Sequence, residues 1–212
     1  MTRTGGTATR RRLIEEAVRH FGKRGYEGAS LDAIASAAGV RKQTLLYYFP
    51  TKEALLEASV AEVSSRVGAT LVEALARQES NSQKAETVIK TIFRLAEEWP
   101  DFPQFVREAG RLGPEVIQRF AESLEPLRQR ALGFLSNAME EGQIRRQDPA
   151  LLLFTLYTAV VGSITEAGVL RAVVGEDKGR TALRRREREV LAFVRSALAP
   201  ASEAPEQRRV TQ

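Results

Sequence analysis

The sequence of 212 residues predicts an all-α protein with a three-helix N-terminal helix-turn-helix domain, a long joining helix and a C-terminal helical domain. Apolar residues on both sides of Gly39 recur at spacings of three and four, as on one face of a helix. After Thr51 this spacing persists to about Arg77, which is roughly 40 Å of helix at 1.5 Å per residue. From Pro149 to Leu170 apolar residues cover nearly the whole circumference, which is typical of a buried helix.

The N-terminal domain is predicted to span residues 1–52, with a first helix from about Thr9 to Lys23. The next helix begins after Ser30, whose side chain is a favourable N-cap, and Asp32 places a carboxylate in the first turn. Gly39 is the expected end of that helix, since a left-handed residue commonly closes a helix C-terminus. The three features together predict a helix followed by a tight turn.

The second helix of the motif is predicted from Lys42 to Tyr48. If Leu45 points inward, a rotation of about 100° per residue turns Gln43 and Tyr47 directly outward. Folding alone does not require a glutamine and a phenol there. Glutamine can bond the edge of adenine, lysine and arginine bind guanine or phosphate, and tyrosine hydroxyls bind phosphate oxygens. This helix is therefore predicted to read DNA.

Residues 21–56, FGKRGYEGASLDAIASAAGVRKQTLLYYFPTKEALL, closely resemble the DNA-binding domain of the TetR family of bacterial transcriptional regulators. The shared pattern is a Gly-Tyr loop, a hydrophobic-Ala-Ala-Gly-Val helix end, a Thr-Leu-x-Tyr-x-Phe recognition helix and a Lys-Glu-x-Leu helix start. Motif and resemblance together indicate a DNA-binding set of Ser30, Arg41, Lys42, Gln43, Thr44, Leu46, Tyr47, Tyr48 and Lys52.

Two positions depart from the family pattern. Arg41 stands where a capping serine is usual, which leaves backbone N–H groups that a DNA phosphate could occupy. Leu46 replaces the first of two paired tyrosines. It either touches a thymine methyl group or packs inward, and packing is the favoured interpretation.

The net charge of +5 is concentrated at the N-terminal end. Residues 1–52 hold ten Lys or Arg against four Asp or Glu, a charge of +6, which leaves −1 for the remainder. Beside a helix-turn-helix, that excess predicts phosphate binding that weakens steeply with salt. Arg3 and Arg10 to Arg12 could form an arm in the minor groove or a solvated, frayed terminus, and residues 1–8 are expected to be disordered.

Composition argues against several other classes of protein. With no cysteine and one histidine, His20, which is expected to be exposed, the chain is not expected to be an enzyme or to need a cofactor or metal. No unbroken apolar run reaches membrane-spanning length and no signal peptide is evident, so a cytoplasmic location without membrane contact is expected. Residues 201–212 are expected to be a disordered tail.

The resemblance implies that residues 53–200 form an effector-binding and dimerisation domain. A small apolar or aromatic effector is expected, and a homodimer would bind a palindromic operator. The candidate effector residues are Trp99, Phe102, Phe105, Phe120 and Tyr157. The candidate dimer residues are Ala159, Gly162, Ser163, Glu166, Val190, Val194 and Leu198. The implied function is a transcriptional repressor released by its effector, and the alternative is a DNA-binding regulator without one, acting through a protein partner or as an architectural factor.

Overall fold

The computed structural model describes residues 3–76, 81–175 and 179–199, and these form eleven α-helices without a strand. The helices are α1 (Arg3–Gly28), α2 (Leu31–Ala37), α3 (Lys42–Tyr48), α4 (Lys52–Leu75), α5 (Asn81–Glu98), α6 (Asp101–Ala109), α7 (Pro114–Ser123), α8 (Glu125–Glu140), α9 (Pro149–Thr165), α10 (Ala167–Val174) and α11 (Arg180–Leu198). The predicted all-α fold, with a helix-turn-helix and a long following helix, is confirmed.

The N-terminal core lies where α1 crosses the helix-turn-helix and the first half of α4. Leu13, Phe21, Leu45 and Leu55 are fully buried there. These side chains come from the apolar stripes that the sequence predicts for α1, α3 and α4. Their burial fixes α3 relative to α1, because a densely packed interior allows few alternative arrangements.

Helix α6 joins this core from the C-terminal part of the chain. Phe105 is fully buried in the same apolar cluster. A Cβ atom on Gly22 would lie 3.0 Å from the backbone nitrogen of Phe105 and 3.2 Å from the carbonyl oxygen of Asp101. Only glycine therefore permits α1 and α6 to pack this closely. The predicted domain boundary at residues 52 and 53 stays a prediction, and one apolar core extends across it.

Two smaller apolar clusters join α5, α8, α9 and α11. One joins α5, α9 and α11 through Phe93, Val160, Leu191 and Val194. The other joins α8 to α9, with Met139 and Leu152 among its members. In the described part of the chain no single helix has the length and apolarity to cross a membrane, and only the bent pair of α9 and α10 passes that test together.

Helix α1 is longer than predicted. It begins at Arg3 instead of about Thr9, so the prediction of disorder over residues 1–8 is wrong from residue 3 onward. The local sequence is rich in glycine, which disfavours a helix. The helical segment nevertheless makes a tertiary contact, since Gly6 lies close to the Tyr48 hydroxyl.

His20 is partly buried, with its Nδ1 atom enclosed and unpaired, so its predicted exposure is also wrong.

The predicted single helix from Pro149 to Leu170 is two helices. The chain bends by 82° between α9 and α10 at Glu166, which closes α9 by donating its backbone N–H to the carbonyl of Gly162. Gly168 lies in the first turn of α10 and weakens helix formation there. The predicted tail at residues 201–212 lies outside the described residues.

Candidate nucleic-acid interface

Two buried side chains hold the recognition helix α3 against the protein. Leu45 is fully buried and Phe49 nearly so, and both belong to the N-terminal apolar core. Pro50 follows directly and cannot continue the helix. The orientation of this seven-residue helix is therefore set by tertiary packing, since an isolated helix of that length would be unstable.

The opposite face of α3 is open to solvent. Gln43 is exposed and 82% of Tyr47 is accessible, as the helical wheel predicts. Leu46 keeps 36% of its surface accessible, so it does not pack fully inward as favoured from the sequence. Thr44 is half-buried beside it. The face therefore presents an amide, a phenol and a partly exposed apolar side chain together, which suits contact with base edges and phosphates.

The turn before α3 has the geometry that its sequence predicts. Gly39 has a φ of 69°, the left-handed conformation that costs glycine little. The Gly39 N–H donates to the carbonyl of Ser36, and the Val40 N–H donates to that of Ala35. At the start of α2 the Ser30 Oγ accepts a hydrogen bond from the Ala33 N–H at 3.2 Å, so this hydroxyl caps the helix.

Hydrogen bonds and ring contacts hold the basic residues around α3. The Lys42 Nζ lies 2.7 Å from Asp32 Oδ2 and thereby ties α3 to α2. The Lys52 Nζ lies 4.4 Å from the centre of the Tyr26 ring and 3.4 Å from the Glu27 carbonyl oxygen. Arg41 precedes α3 without making a side-chain cap, as predicted. These contacts restrain both ammonium groups at the helix-turn-helix surface.

Tyr26 connects the last turn of α1 to the start of α4. Its hydroxyl donates to Glu53 Oε1 at 2.6 Å. Burial and this bond raise the pKa of Tyr26, and the same bond lowers the pKa of Glu53. The contacts of Tyr26 with Glu53 and with the adjacent Lys52 therefore fix the position of Lys52 at the start of α4.

The N-terminal turns of α1 lie beside the C-terminal end of α3. Arg10 stacks over the Phe49 ring at 5.2 Å, and Gly6 lies next to the Tyr48 hydroxyl. Tyr48 is half-buried and makes an edge-to-face contact with Tyr47. The basic run Arg10 to Arg12 therefore belongs to a helix next to the recognition helix. Its entry into the minor groove stays a prediction.

The five predicted effector residues do not form one cavity wall. Trp99 stacks on Phe102 with ring centres 5.8 Å apart, and Arg66 lies 4.3 Å above the Trp99 ring. Phe102 and Phe105 fill the core beside α1, whereas Tyr157 is half-exposed on α9. The side chain of Phe120 lies outside the described part. Two cavities of about 160 and 480 Å³ are lined by other residues.

The seven predicted dimer residues divide into two groups. Gly162, Ser163, Glu166 and Val190 line an open groove of about 480 Å³ between α9, α10 and α11, and Ala159 is partly buried on α9. Val194 and Leu198 instead face the chain's own core, where Val194 is only 3% accessible. The prediction that Val194 faces a partner is wrong in this structure, because the apolar stripe of α11 packs on α5 and α9. For the partly buried Leu198 a partner contact stays a prediction.

Sequence reasoning missed three contacts that link the C-terminal helices to the DNA-binding end. On α6, Asp101 Oδ2 accepts a hydrogen bond from Arg19 Nε at 3.3 Å, and Glu108 Oε1 accepts one from the Tyr26 backbone N–H at 3.2 Å. On α7, Arg119 forms an ion pair with Glu57 of α4. The partners are 62 or 82 residues apart, and the sequence carries no local signal for such pairing.

Comparison with known proteins places this geometry among bacterial regulators. Residues 13–59 match the family described as bacterial regulatory proteins, tetR family. The HTH-type transcriptional regulator RutR of Escherichia coli K12 is 28% identical over 174 residues, which is 80% of each chain. The match includes the whole recognition helix and extends well beyond it.

Two solved structures show the same fold. A protein from Saccharomonospora viridis in complex with choline has a TM-score of 0.73 and 18% identity, over 91% of this chain and 98% of that one. AibR in complex with isovaleryl coenzyme A and operator DNA has a TM-score of 0.68 and 20% identity, over 91% and 99%. In its motif, in its fold and in the family profile over residues 13–59, this chain resembles the TetR family of DNA-binding helix-turn-helix transcriptional regulators.

Proposed function

We propose that this protein binds a palindromic operator as a homodimer, represses transcription there and is released by a small-molecule effector. The observation that carries the proposal is the outward face of α3, where Gln43 and the 82% accessible Tyr47 lie opposite the buried Leu45. A short helix anchored by its apolar face and open on its polar face suits insertion into the major groove.

The proposed dimer surface is an exposed apolar stripe on α9 and α11. Leu151 and Phe154 on α9 are 66% and 62% accessible, and Phe193 on α11 is 56% accessible. Of the eleven large hydrophobic side chains that are exposed in the described part of the chain, seven lie on α9, α10 and α11. Apolar surface concentrated in this way is typical of an interaction site.

Small residues continue the same stripe. Thr158 and Gly162 follow Leu151 and Phe154 at helical spacing, and a Cβ on Gly162 would meet no atom within 4 Å in the single chain. This open space permits close approach of a second helix. The groove beside Gly162 and Val190 adds further apolar surface, so the proposed face extends the candidate dimer residues that the sequence indicated.

A second copy is the proposed occupant because a two-fold interface needs a self-complementary surface, which an apolar stripe supplies. The two-fold axis would present two recognition helices to successive major-groove faces, about 34 Å apart or a multiple of that. The operator should therefore read the same on both strands. The basic excess at residues 1–52 would add contacts to phosphate at both half-sites.

Effector control is proposed because two C-terminal helices contact the DNA-binding end directly. Helix α6 is packed against α1 at Gly22, and α7 is paired to α4 through Arg119 and Glu57. A ligand that favours one arrangement of these helices by about 1.4 kcal/mol would change operator occupancy tenfold. The structure of AibR contains both isovaleryl coenzyme A and operator DNA, a precedent within the same fold for a small molecule bound beside DNA.

The test combines mass measurement with DNA selection. Light scattering on the purified chain should give a dimer at micromolar concentration, and fragments selected from random DNA should contain an inverted repeat. Phe154→Asp should give monomers and weaken operator binding, because each dimer would bury two carboxylates in an apolar contact. Val72→Asp changes an exposed valine on α4 and is the matched control.

Three results would contradict the proposal. A Phe154→Asp protein that stays dimeric would remove the proposed face, and selected sites without symmetry would remove the palindrome. An operator affinity that no compound in a metabolite panel changes would remove the effector. The protein would then be a regulator that acts through a protein partner or as an architectural factor.

A further inference from the structure

A cavity of about 160 Å³ lies between α4 and α7, one turn beyond the start of α4. Its walls combine aliphatic side chains with one ion pair and one hydroxyl, and the lining residues are Leu56, Glu57, Val60, Ala61, Val116, Arg119 and Ser123. Leu56 and Val60 also belong to the apolar core that holds the recognition helix. The cavity therefore touches the DNA-binding end itself.

The ion pair joins the two helices that form the cavity. Arg119 Nη1 donates to Glu57 Oε1, and each side chain is about half-exposed. Ser123 donates its hydroxyl proton to the Arg119 carbonyl. An exposed pair of this kind adds little to stability, about 0–1 kcal/mol, so another anion can replace Glu57 at low cost.

We propose that this cavity binds a small carboxylate with an aromatic or branched apolar body, whose carboxylate replaces Glu57 on Arg119. The inference rests on the proposed function, since the ligand would be the effector. A guanidinium presents its N–H donors in a planar fork that matches a carboxylate, so the two can form parallel hydrogen bonds. The aliphatic walls would take the apolar body.

Volume and wall chemistry limit the ligand. An apolar cavity of roughly 150 Å³ holds a benzene molecule, so 160 Å³ suits a single ring or a short branched chain. Organic cations are usually held over aromatic faces, and none of the seven lining residues is aromatic. The cavity therefore favours an anion over an ammonium ligand.

Replacement of Glu57 would remove the ion pair between α4 and α7 and leave only their apolar contacts. The pair is the one contact between charged groups that the described structure shows across this cavity. Once the ligand holds Arg119, Glu57 returns to water and α4 loses its polar connection to α7. The start of α4, which follows α3 directly, could then shift relative to the rest of the chain. In this way, binding of the ligand in the cavity would change the position of the recognition helix.

The test uses three probes of one size on the full chain without DNA: benzoate, benzyl alcohol and benzylamine, each up to about 10 mM at constant ionic strength. A weak site has a Kd of about 1 mM, so this range would saturate it. Benzoate should raise the unfolding temperature in proportion to ln(1 + [L]/Kd), and isothermal titration should give its Kd. The alcohol and the amine should bind at least about tenfold more weakly.

Two substitutions should change benzoate affinity in opposite directions. Arg119→Gln removes the cation and should weaken benzoate at least about tenfold. Glu57→Gln removes the competing carboxylate and should strengthen it several-fold. A misfolded variant cannot gain affinity, so this increase separates ligand competition from a structural role. Arg111→Gln, an exposed residue outside the lining, should leave the Kd unchanged.

Failure of the inference and failure of the proposed function give different results. Absence of benzoate binding, equal binding of benzylamine, or full binding by Arg119→Gln would overturn the site. Benzoate binding with the expected pattern, but no change in operator affinity, would leave the site standing and refute effector-controlled release. Release by some other compound, without benzoate binding, would refute only the site.

Discussion

Substitution of Gly22 by alanine tests whether α6 is fixed against the DNA-binding domain. Gly22 lies inside α1, where alanine is normally better by about 0.5–1 kcal/mol. Here the added Cβ would lie 3.0 Å from one α6 backbone atom and 3.2 Å from another. Backbone atoms cannot rotate away, so α1 and α6 would have to separate, at a cost of about 1–3 kcal/mol. The net expectation is a loss of about 1–2 kcal/mol.

Gly68→Ala is the matched control. Gly68 lies inside α4, and a Cβ there would meet no atom within 4 Å. That substitution should stabilise the protein by about 0.5–1 kcal/mol, since only the helix propensity changes. Urea unfolding at one fixed protein concentration measures both variants, because the stability of the proposed dimer would depend on concentration. The two substitutions should therefore have effects of opposite sign.

Gly22→Ala should also weaken operator binding, because movement of α6 would be transmitted to α1 and α3 through the shared core. The ion pairs around Asp101 cannot compensate, since Arg19 and Lys23 are both half-exposed and such pairs contribute about 0–1 kcal/mol. If Gly22→Ala proved as stabilising as Gly68→Ala, with unchanged DNA affinity, α6 would not be held against α1 as described, and this route of coupling would be refuted.

Three further predictions concern DNA reading, capping and acid stability. Gln43→Ala should relax base preference by about 1–3 kcal/mol, whereas Tyr47→Phe should weaken all operator variants alike, as measured by competition binding. Ser30→Ala should lower the unfolding free energy by about 1 kcal/mol, because the Ala33 N–H loses its cap. Hydrogen bonds from Arg195 lower the pKa of Glu86 from 4.5 to about 2. The pair therefore stabilises the fold above pH 4.5, this contribution is lost as the pH falls towards 2, and Glu86→Gln should flatten acid unfolding over that interval.

Local chemistry made the helix-turn-helix predictable. Leu45 marks the inward face of α3, and Pro50 limits where the helix can end. The turn before α3 follows from the positive φ that Gly39 can adopt. Each signal acts within a few residues of its own position. For the same reason the predicted outward direction of Gln43 and Tyr47 agrees with the structure.

Long-range partners were not predictable from periodicity. The apolar stripe of α11 contains Val190 and Val194, and its period is the same whether it packs on the chain's own core or on a second copy. In the structure Val194 is buried against α5 and α9, and the free apolar stripe lies on α9 with Leu151 and Phe154. An aromatic cluster is equally ambiguous, and Phe105 proved to fill the core beside α1.

The positions of α6 and α7 explain why changes in the C-terminal helices should affect operator binding. The proposed palindromic operator would require both recognition helices of the proposed dimer at a fixed separation, so a small rotation of each DNA-binding end would be sufficient to weaken binding. Helix α6 limits that rotation through α1, where a glycine allows backbone contact. Helix α7 limits it through α4, where the polar contact is a replaceable ion pair. A rigid contact transmits movement, whereas a replaceable one can be controlled by a ligand. The cavity beside Arg119 is therefore the place where a small anion could shift the equilibrium most directly.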